Sequence, residues 1–274
     1  MNDRKKPPPS REDVLDAAAA GVDLTLPKRP PAPGREDILD AAAAGVDLTA
    51  QSDTPPGIDT WVFDLDNTLY SASSNLFDQV SDRIGQYIAS FLGVDREEAH
   101  RLQKKYWREH GTSLRGLMTL HACKPEEFIE FVHDIDLSAV AANPELDAAL
   151  ARLDGRKVIF TNGSVPHAER IMARLGVAHH FEGVFDIVAS DYIPKPELSV
   201  YQRLVGRFGF DPRAAIMLDD MAHNLEPAHA LGMRTVWVRT PESQERLAAL
   251  GGRRDHIHHE TDDVTSFLQD WLAK

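Results

Sequence analysis

The hydrophobic pattern divides the chain into a region of alternating strands and helices and a region of helices alone. From residue 144 onward, short uninterrupted apolar runs alternate with segments in which apolar residues recur every three or four positions. The first kind of run is typical of buried strands and the second of amphipathic helices. The apolar runs that predict strands are 61–63, 157–160, 184–188, 214–218 and 235–238. Their regular alternation with helices predicts an α/β fold with a doubly wound parallel sheet.

Between residues 72 and 140 the pattern is helical and contains no predicted strand. Apolar residues recur at helical spacing from Leu76 up to Gly93, where the first helix is expected to end. Asp95 and Glu98 form a capping-box arrangement at the start of a second helix. We therefore predict a small all-helical subdomain at 72–140, inserted into a core formed by 58–71 and 141–274.

Residues 1–57 differ in composition from the rest of the chain, because they hold nine of its 17 prolines. A segment of this composition cannot build a core of its own, so we predict a disordered tail. Within it, residues 11–25 return as residues 35–49 with one change, Val14 to Ile38. Each copy predicts a short helix that is marginal alone. Transient helices are favoured over the alternative, a docking motif for a protein partner.

Charge and composition exclude several classes of partner. The net charge of -13 argues against a nucleic-acid or anionic membrane surface, since phosphate contacts need clustered Lys and Arg. The sequence has no apolar stretch long enough to span a bilayer and no apolar signal segment near its start. The single cysteine, Cys123, cannot form an internal disulfide, which suits a reducing compartment. We expect a cytoplasmic protein that acts on a small molecule.

Polar side chains follow the predicted strands at the points where each one ends. Asp64 and Asp66 follow the first strand, Thr161 and Asn162 follow the second, Lys195 comes after the third, and 219–220 is an Asp pair after the fourth. Ligands of such sheets bind at the carboxyl ends of the strands, so these groups are expected to meet in one crevice. Carboxylates are ligands for Mg²⁺, and the amides at a helix N-terminus suit phosphate oxygens. The alternative for the first strand is a tip of solvated aspartates.

Two further alternatives concern charged groups elsewhere. A surface salt bridge to Asp191 or Glu197 is the structural alternative for Lys195. The histidine-rich segment at 256–263 suggests a second metal site, but the alternation at 255–258 favours a final edge strand before a C-terminal helix.

Four short motifs, in this order, resemble those of the haloacid dehalogenase superfamily. They are Asp64-Leu65-Asp66-Asn67-Thr68, Phe160-Thr161-Asn162-Gly163, Lys195-Pro196, and Leu218-Asp219-Asp220 with Asn224. The resemblance covers about residues 58–272 and implies a Rossmann-like core with an inserted helical cap. The segment 105–117, KYWREHGTSLRGL, is similar to the pyrimidine 5'-nucleotidase-like branch of the superfamily.

The resemblance implies a Mg²⁺-dependent phosphatase that forms a phosphoaspartate. Asp64 would be the nucleophile and Asp66 the acid and base, with Thr68 helping to fix the loop that aims Asp66. Dehalogenases of the superfamily lack the second acid and need no metal, so Asp66 favours phosphoryl transfer.

The remaining groups of the motifs would bind the metal and the phosphoryl group. The resemblance implies metal binding by Asp64, the Asp66 carbonyl and Asp220, with Asp219 as a direct or indirect ligand. Thr161 and Lys195 would bind phosphoryl oxygens, with the Asn162 amide as a further candidate. Thr68 is also among the phosphate-binding candidates. The role of Asn224 stays open, since relatives often have an acid there.

The leading substrate hypothesis is a small phosphorylated metabolite, a pyrimidine nucleoside 5'-monophosphate. The residues expected on the leaving-group side are Arg108, His110, Thr112, Ser113 and Arg115. An enzymatic alternative is a broad sugar-phosphate or phosphoglycolate phosphatase. A non-enzymatic alternative is a phospholigand-binding scaffold that uses the N-terminal repeats.

Overall fold

The computed structural model describes residues 57–273. The predicted tail, with its repeats at 11–25 and 35–49, lies outside the described residues apart from Gly57. The described chain divides into two compact units, one formed by Asn75–Ala139 and the other by 57–74 with 140–273. Within the described residues no helix is both long and apolar enough to cross a lipid bilayer.

The larger unit contains one sheet whose six strands are all parallel, which confirms the predicted fold class. Its strands are β1 Thr60–Phe63, β2 Arg156–Phe160, β3 Gly183–Phe185, β4 Ala215–Asp219, β5 Arg234–Val238 and β6 His259–Thr261. Their order in the sheet is β3-β2-β1-β4-β5-β6. The chain therefore runs outward from β1 in one direction through β2 and β3, and in the other through β4 to β6. Such a reversal of strand order beside β1 is where doubly wound sheets bind ligands.

Ten α-helices lie within the described residues. They are α1 Leu76–Leu92, α2 Arg96–His110, α3 Ser113–His121, α4 Pro125–Val132, α5 Pro144–Arg152, α6 Val165–Leu175, α7 Leu198–Phe208, α8 Leu225–Ala230, α9 Pro241–Ala249 and α10 Val264–Leu272. The first four form the helical unit and the others belong to the sheet unit.

The helical unit is organised around a buried aromatic cluster. The Tyr87 ring lies 5.5 Å from Phe91, 5.1 Å from Phe128 and 5.6 Å from Phe131, measured between ring centroids. The Asp95 carboxylate accepts a hydrogen bond from the Glu98 amide at 2.8 Å and so caps α2.

The core of the sheet unit consists of the apolar runs that predicted the strands. All four residues of β1 are buried, as are the last four of β2, and the side chains of Trp61 and Trp237 are almost completely enclosed. Phe160 packs edge-on against Tyr201, with ring centroids 5.0 Å apart. Burial of these large side chains is the main source of stability for such a sheet.

Two predicted strand positions were wrong. The third strand ends at Phe185 rather than at residue 188, because the Asp186 carboxylate accepts bonds from the amides of Ala189 and Val165 and turns the chain. The edge strand lies at His259–Thr261 rather than at 255–258. Here His256 is buried and its Nε2 donates to the Ala222 carbonyl at 2.8 Å.

Candidate active site

Asp64 lies immediately after β1, where the strand gives way to a tight turn. Its amide donates to the Leu218 carbonyl at 2.9 Å, which continues the pairing of β1 with β4 for one more residue. The amides of Thr68 and Leu69 both donate to the Leu65 carbonyl, so the chain turns directly after the acid. The Asp64 carboxylate is therefore held at the carboxyl edge of the sheet, and Asp64 is only 6% exposed.

Lys195 brings a buried positive charge to this edge. Its Nζ lies 2.8 Å from Asp64 Oδ1 and 2.7 Å from Asp219 Oδ2, and it also donates to the Phe160 carbonyl at 2.9 Å. The Lys195 amide donates to Asn162 Oδ1 at 2.9 Å, so the loop before α7 is tied to the loop after β2. Lys195 is 3% exposed, and the alternative of a surface salt bridge was wrong.

Asp219 and Asp220 end β4 but have different surroundings. Both oxygens of Asp219 accept hydrogen bonds: Oδ1 from the Met221 amide, Oδ2 from Lys195, and both from the Asn224 side-chain amide at 3.0 and 3.2 Å. In the described part of the chain, the Asp220 carboxylate has no hydrogen-bond or ion-pair partner, although Asp220 is only 7% exposed. Asn224 therefore contacts the acid pair through Asp219.

The group of charged side chains formed by Asp64, Asp219, Asp220 and Lys195 contains more acidic than basic residues. Burial, followed by repulsion from Asp219 and Asp66, raises the pKa of Asp64 to about 7 despite the opposing charge of Lys195. Burial and the neighbouring acids also raise the pKa of Asp220 well above its usual range. Burial alone would lower the pKa of Lys195, but the charges of Asp219 and Asp64 outweigh it and raise that pKa. One ammonium group thus faces several buried acids.

This donor set fits a divalent cation. The carboxylates of Asp64, Asp219 and Asp220 have oxygen atoms within 4.8 Å of one another, and all three residues are buried. The Asp220 oxygens receive no hydrogen bond from the described residues, and the raised pKa values mark negative charge that Lys195 does not balance. Mg²⁺ prefers carboxylate and carbonyl oxygens, and a bound cation favours the ionised acids.

Thr161, Asn162 and Gly163 follow β2 and lead into the first turn of α6. The Gly163 amide donates to Thr161 Oγ1 at 2.9 Å, which orients the hydroxyl. A methyl group at Gly163 would lie 3.2 Å from Thr161 Oγ1, 3.3 Å from His167 Cδ2 and 3.6 Å from Asp66 Oδ2. Gly163 therefore lies against both the hydroxyl and the second acid.

Asp66 contacts two side chains that the sequence reasoning missed. Its Oδ1 accepts from the Tyr70 hydroxyl at 2.7 Å and lies 3.1 Å from His167 Nε2. Burial, then the Asp66 charge, raises the pKa of Tyr70 well above its usual range, so the hydroxyl remains a donor. Thr68, expected to fix the loop that aims Asp66, donates its hydroxyl to Asp64 Oδ2 at 3.2 Å.

Only one of the two missed residues left a signal in the sequence. Tyr70 lies four positions after Asp66 and two positions after the end of the first motif. His167 lies 101 positions from Asp66, and nothing local marks it.

The five residues expected on the leaving-group side all lie where α2 ends and α3 begins. Thr112 caps α3, because its hydroxyl accepts from the Arg115 amide at 3.1 Å. Ser113 is buried and donates to the Gln103 carbonyl at 3.2 Å. His110 packs edge-on against Tyr106, and Arg108 is exposed. The two hydroxyls are thus already used within the helical unit.

Comparison with known proteins gives the family. A family model described as haloacid dehalogenase-like hydrolase matches residues 58–232, more than half of the chain. The chain belongs to the haloacid dehalogenase-like hydrolases. This confirms the resemblance of the four motifs at the level of the superfamily.

Two curated relatives of this hydrolase have names that refer to phosphate chemistry. Phosphate metabolism protein 8 of Saccharomyces cerevisiae is 27% identical over 66% of this chain and 61% of its own length. The hydrolase thus spans less than two thirds of that relative. Fructose-1-phosphate phosphatase YqaB of Escherichia coli is 30% identical over 65% of this chain and 95% of its own length.

A solved structure also has this fold. The HAD phosphatase from Thermococcus onnurineus is 18% identical to the hydrolase and superposes with a TM-score of 0.53, covering 78% of this chain and 98% of that chain. At this identity the likeness concerns the fold.

Proposed function

We propose that this hydrolase is a Mg²⁺-dependent phosphomonoesterase that works through a phosphoaspartate on Asp64. One observation carries the proposal: a buried carboxylate at the end of β1 lies within 2.8 Å of a buried lysine and beside further acids. An anion-binding ammonium and a nucleophilic carboxylate in one site are what phosphoryl transfer requires.

In the first step, the Asp64 carboxylate attacks phosphorus and the bond from phosphorus to the leaving oxygen breaks. The bonding electrons stay on the leaving oxygen, which takes a proton from Asp66. In the second step, a water molecule attacks the phosphorus of the acyl phosphate and gives a proton back to Asp66. The bond to Asp64 breaks, and inorganic phosphate leaves with the carboxylate restored.

Other residues of the site bind and orient the reacting groups. Lys195 and Thr161 are assigned to the phosphoryl oxygens, with the Asn162 amide as a further donor. Lys195 reaches that position because Asp219 and Asp64 hold its ammonium from two sides. Asp219 has no oxygen without a hydrogen bond, so we assign it to orient Lys195 and Asn224.

Three groups are assigned to hold Mg²⁺, namely the Asp64 carboxylate, the Asp66 main-chain carbonyl and the Asp220 carboxylate. When bound, the ion supplies positive charge that keeps the nucleophile ionised and offsets the charge of the phosphoryl group. The raised pKa of Asp64 supports this need for a counter-charge.

Pyrimidine nucleoside 5'-monophosphates are the proposed substrates. The similarity of residues 105–117 to the pyrimidine 5'-nucleotidase-like branch supports this choice. The proposed leaving-group contacts are Arg108, His110, Thr112, Ser113 and Arg115. The Thr112 and Ser113 hydroxyls already have partners within the helical unit.

Sugar phosphates are the second candidate class. The name of the Escherichia coli relative, a fructose-1-phosphate phosphatase, supports this class. Both classes use the same core chemistry and differ only in the leaving group.

A substrate panel tests the proposal. Phosphate release is measured for UMP, CMP, AMP, fructose 1-phosphate and phosphoglycolate, each with Mg²⁺ and with EDTA. We expect turnover only with Mg²⁺ and the highest kcat/KM for UMP and CMP. Equal rates for all substrates would contradict the nucleotide assignment. Asp64→Asn is expected to abolish turnover, and activity of that variant equal to the wild type would contradict the phosphoaspartate.

A further inference from the structure

We propose that Tyr70 and His167 are positioning residues that orient the Asp66 carboxyl group for proton transfer through contacts with its Oδ1 oxygen. The inference rests on the proposed function, in which Asp66 is the acid of the first step and the base of the second. It adds two residues that neither the motifs nor the comparisons assign.

Two separate elements supply the contacts. Tyr70 lies in the turn after β1 and donates its hydroxyl to Asp66 Oδ1 at 2.7 Å. His167 lies in the first turn of α6, and its Nε2 is 3.1 Å from the same oxygen. Tyr70 is 6% exposed and His167 is 1% exposed, so both donors are fixed by the surrounding core.

Asp66 is more accessible than the acids beside it. Its side chain is 17% exposed, whereas that of Asp64 is 9% exposed and that of Asp219 is fully buried. An acid that exchanges protons with a leaving group and with water needs such access, and it also needs a fixed orientation. The two contacts with Tyr70 and His167 supply the orientation.

Both contacts end on Oδ1, and this suits both protonation states of Asp66. When the carboxylate is ionised, Oδ1 accepts the two hydrogen bonds as a charged oxygen. When Oδ2 carries the proton, Oδ1 is the carbonyl oxygen and still accepts them. These two contacts can therefore hold Asp66 in one orientation in both protonation states.

If the Asp66 carboxylate loses these contacts, it samples other rotamers. Misplacement of a reacting group lowers reaction rates steeply. A positioning role also predicts which of the two catalytic steps becomes slower. With p-nitrophenyl phosphate the leaving group needs little protonation, so the loss falls mainly on hydrolysis of the phosphoenzyme. With an alkyl phosphate such as UMP, both steps need Asp66.

The experiment uses the full chain with Mg²⁺ and compares Tyr70→Phe, His167→Ala and His167→Gln. We expect Tyr70→Phe and His167→Ala to lower kcat for UMP by about tenfold or more while KM changes less than about twofold. With p-nitrophenyl phosphate, acid quenching should trap more phosphoenzyme than in the wild type. His167→Gln, which keeps an N–H donor near the position of Nε2, should recover part of the rate.

Two further variants separate positioning from a general structural effect. Tyr87→Phe removes a buried hydroxyl in the helical unit, where it contacts Cys123 Sγ at 3.5 Å, and should leave kcat unchanged. Tyr70→Phe added to Asp66→Asn should lower the residual rate no further, because the group that it positions is gone. A purely structural role would give the same loss in both backgrounds.

Wild-type kcat in Tyr70→Phe and His167→Ala, or an additive loss in the double variant, would overturn the inference. If wild-type activity depends on Asp64 but not on Tyr70 or His167, the proposed function stands and only the positioning role fails. If the wild type releases no phosphate from any substrate, the proposed function fails and the inference falls with it.

Discussion

Lys195 Nζ lies 2.8 Å from Asp64 Oδ1, although the two residues are 131 positions apart in the chain. The same ammonium lies 2.7 Å from Asp219, so it is shared between two buried carboxylates. A buried charge needs a partner, and removing one member of such a group leaves the others uncompensated. The balance of charge around Lys195 therefore governs both stability and chemistry at this site.

Replacing Asp64 by Asn is expected to stabilise the Mg²⁺-free protein at high pH. The pKa of Asp64 is raised from an ordinary 3.8 to about 7, so between these values the folded state holds a proton that the unfolded state has released. Stability contributed by this group is then lost as pH rises through the window. The advantage of Asp64→Asn over the wild type should grow from pH 5 to pH 8, reaching a few kcal/mol by order of magnitude.

Urea unfolding at several pH values in EDTA measures this difference. Asp82→Asn is the control, because that carboxylate is exposed and its removal should give no pH-dependent gain. A difference between Asp64→Asn and the wild type that does not change with pH would contradict the prediction.

Replacing Lys195 by Met is expected to destabilise the protein by about 3–5 kcal/mol at pH 8, the usual cost of breaking a buried ion pair from one side. The side chain of Lys195 is only 1% exposed, so water cannot replace the lost ammonium. The free energy of unfolding in urea measures the effect. The control is Lys124→Met, which removes an exposed pair with Glu127 and should cost less than about 1 kcal/mol. Equal effects of the two substitutions would argue against a buried charge cluster.

Replacing Gly163 by Ala is expected to reduce activity more than stability. The added methyl group would lie 3.2–3.3 Å from Thr161 and His167, so these side chains must shift by a few tenths of an ångström. We expect kcat to fall by about tenfold, because small displacements of catalytic groups are costly. Steady-state kinetics and a thermal melt measure the two quantities.

Gly206→Ala is the matched control for Gly163→Ala. Gly206 lies within α7, and a methyl group there would meet nothing within 4 Å. This substitution should leave kcat unchanged and stabilise the helix by up to about 1 kcal/mol. Unchanged kcat in both variants would contradict the close packing inferred around Asp66.

Mg²⁺ is expected to raise the midpoint of thermal unfolding of the wild type, since a ligand that binds only the folded state stabilises it. Asp220→Asn should lose most of that increase, because the Asp220 carboxylate is buried beside Asp64 and has no protein partner in the described part of the chain. Differential scanning calorimetry with Mg²⁺ and with EDTA measures the shift. Asp255→Asn, which changes an exposed acid, should keep the full increase. An equal Mg²⁺-dependent increase of the unfolding midpoint in both variants would contradict the assignment of Asp220 to the proposed metal site.

The strand and helix pattern predicted most of the sheet unit. Four of the five strands predicted from apolar runs, including 61–63 and 157–160, lie within about one residue of the observed bounds. The third strand was placed too far along the chain, because the turn at Asp186 depends on hydrogen bonds to Ala189 and Val165. Apolar residues continue past that turn, so hydrophobicity alone does not mark it.

The sequence by itself determined the parallel sheet and the set of polar groups at its carboxyl edge. Parallel strands place their carboxyl ends at one edge, and Asp64 and Asp219 lie at the ends of the neighbouring strands β1 and β4. Only the tertiary structure decided how those groups divide their contacts. Asp219 is saturated by hydrogen bonds, whereas Asp220 has no such partner among the described residues, although the two are adjacent in the chain.

The contacts of Asp66 also depend on the tertiary structure and not on the sequence pattern. Tyr70 lies two positions after the first motif, but whether its hydroxyl reaches Asp66 depends on the path of the turn. His167 contacts Asp66 only because α6 begins beside the end of β1, although the two residues are 101 positions apart in the chain. Periodicity records which residues are buried and which element they belong to. Hydrogen bonds between distant side chains depend on loop paths and rotamers, which are fixed only when the whole unit packs.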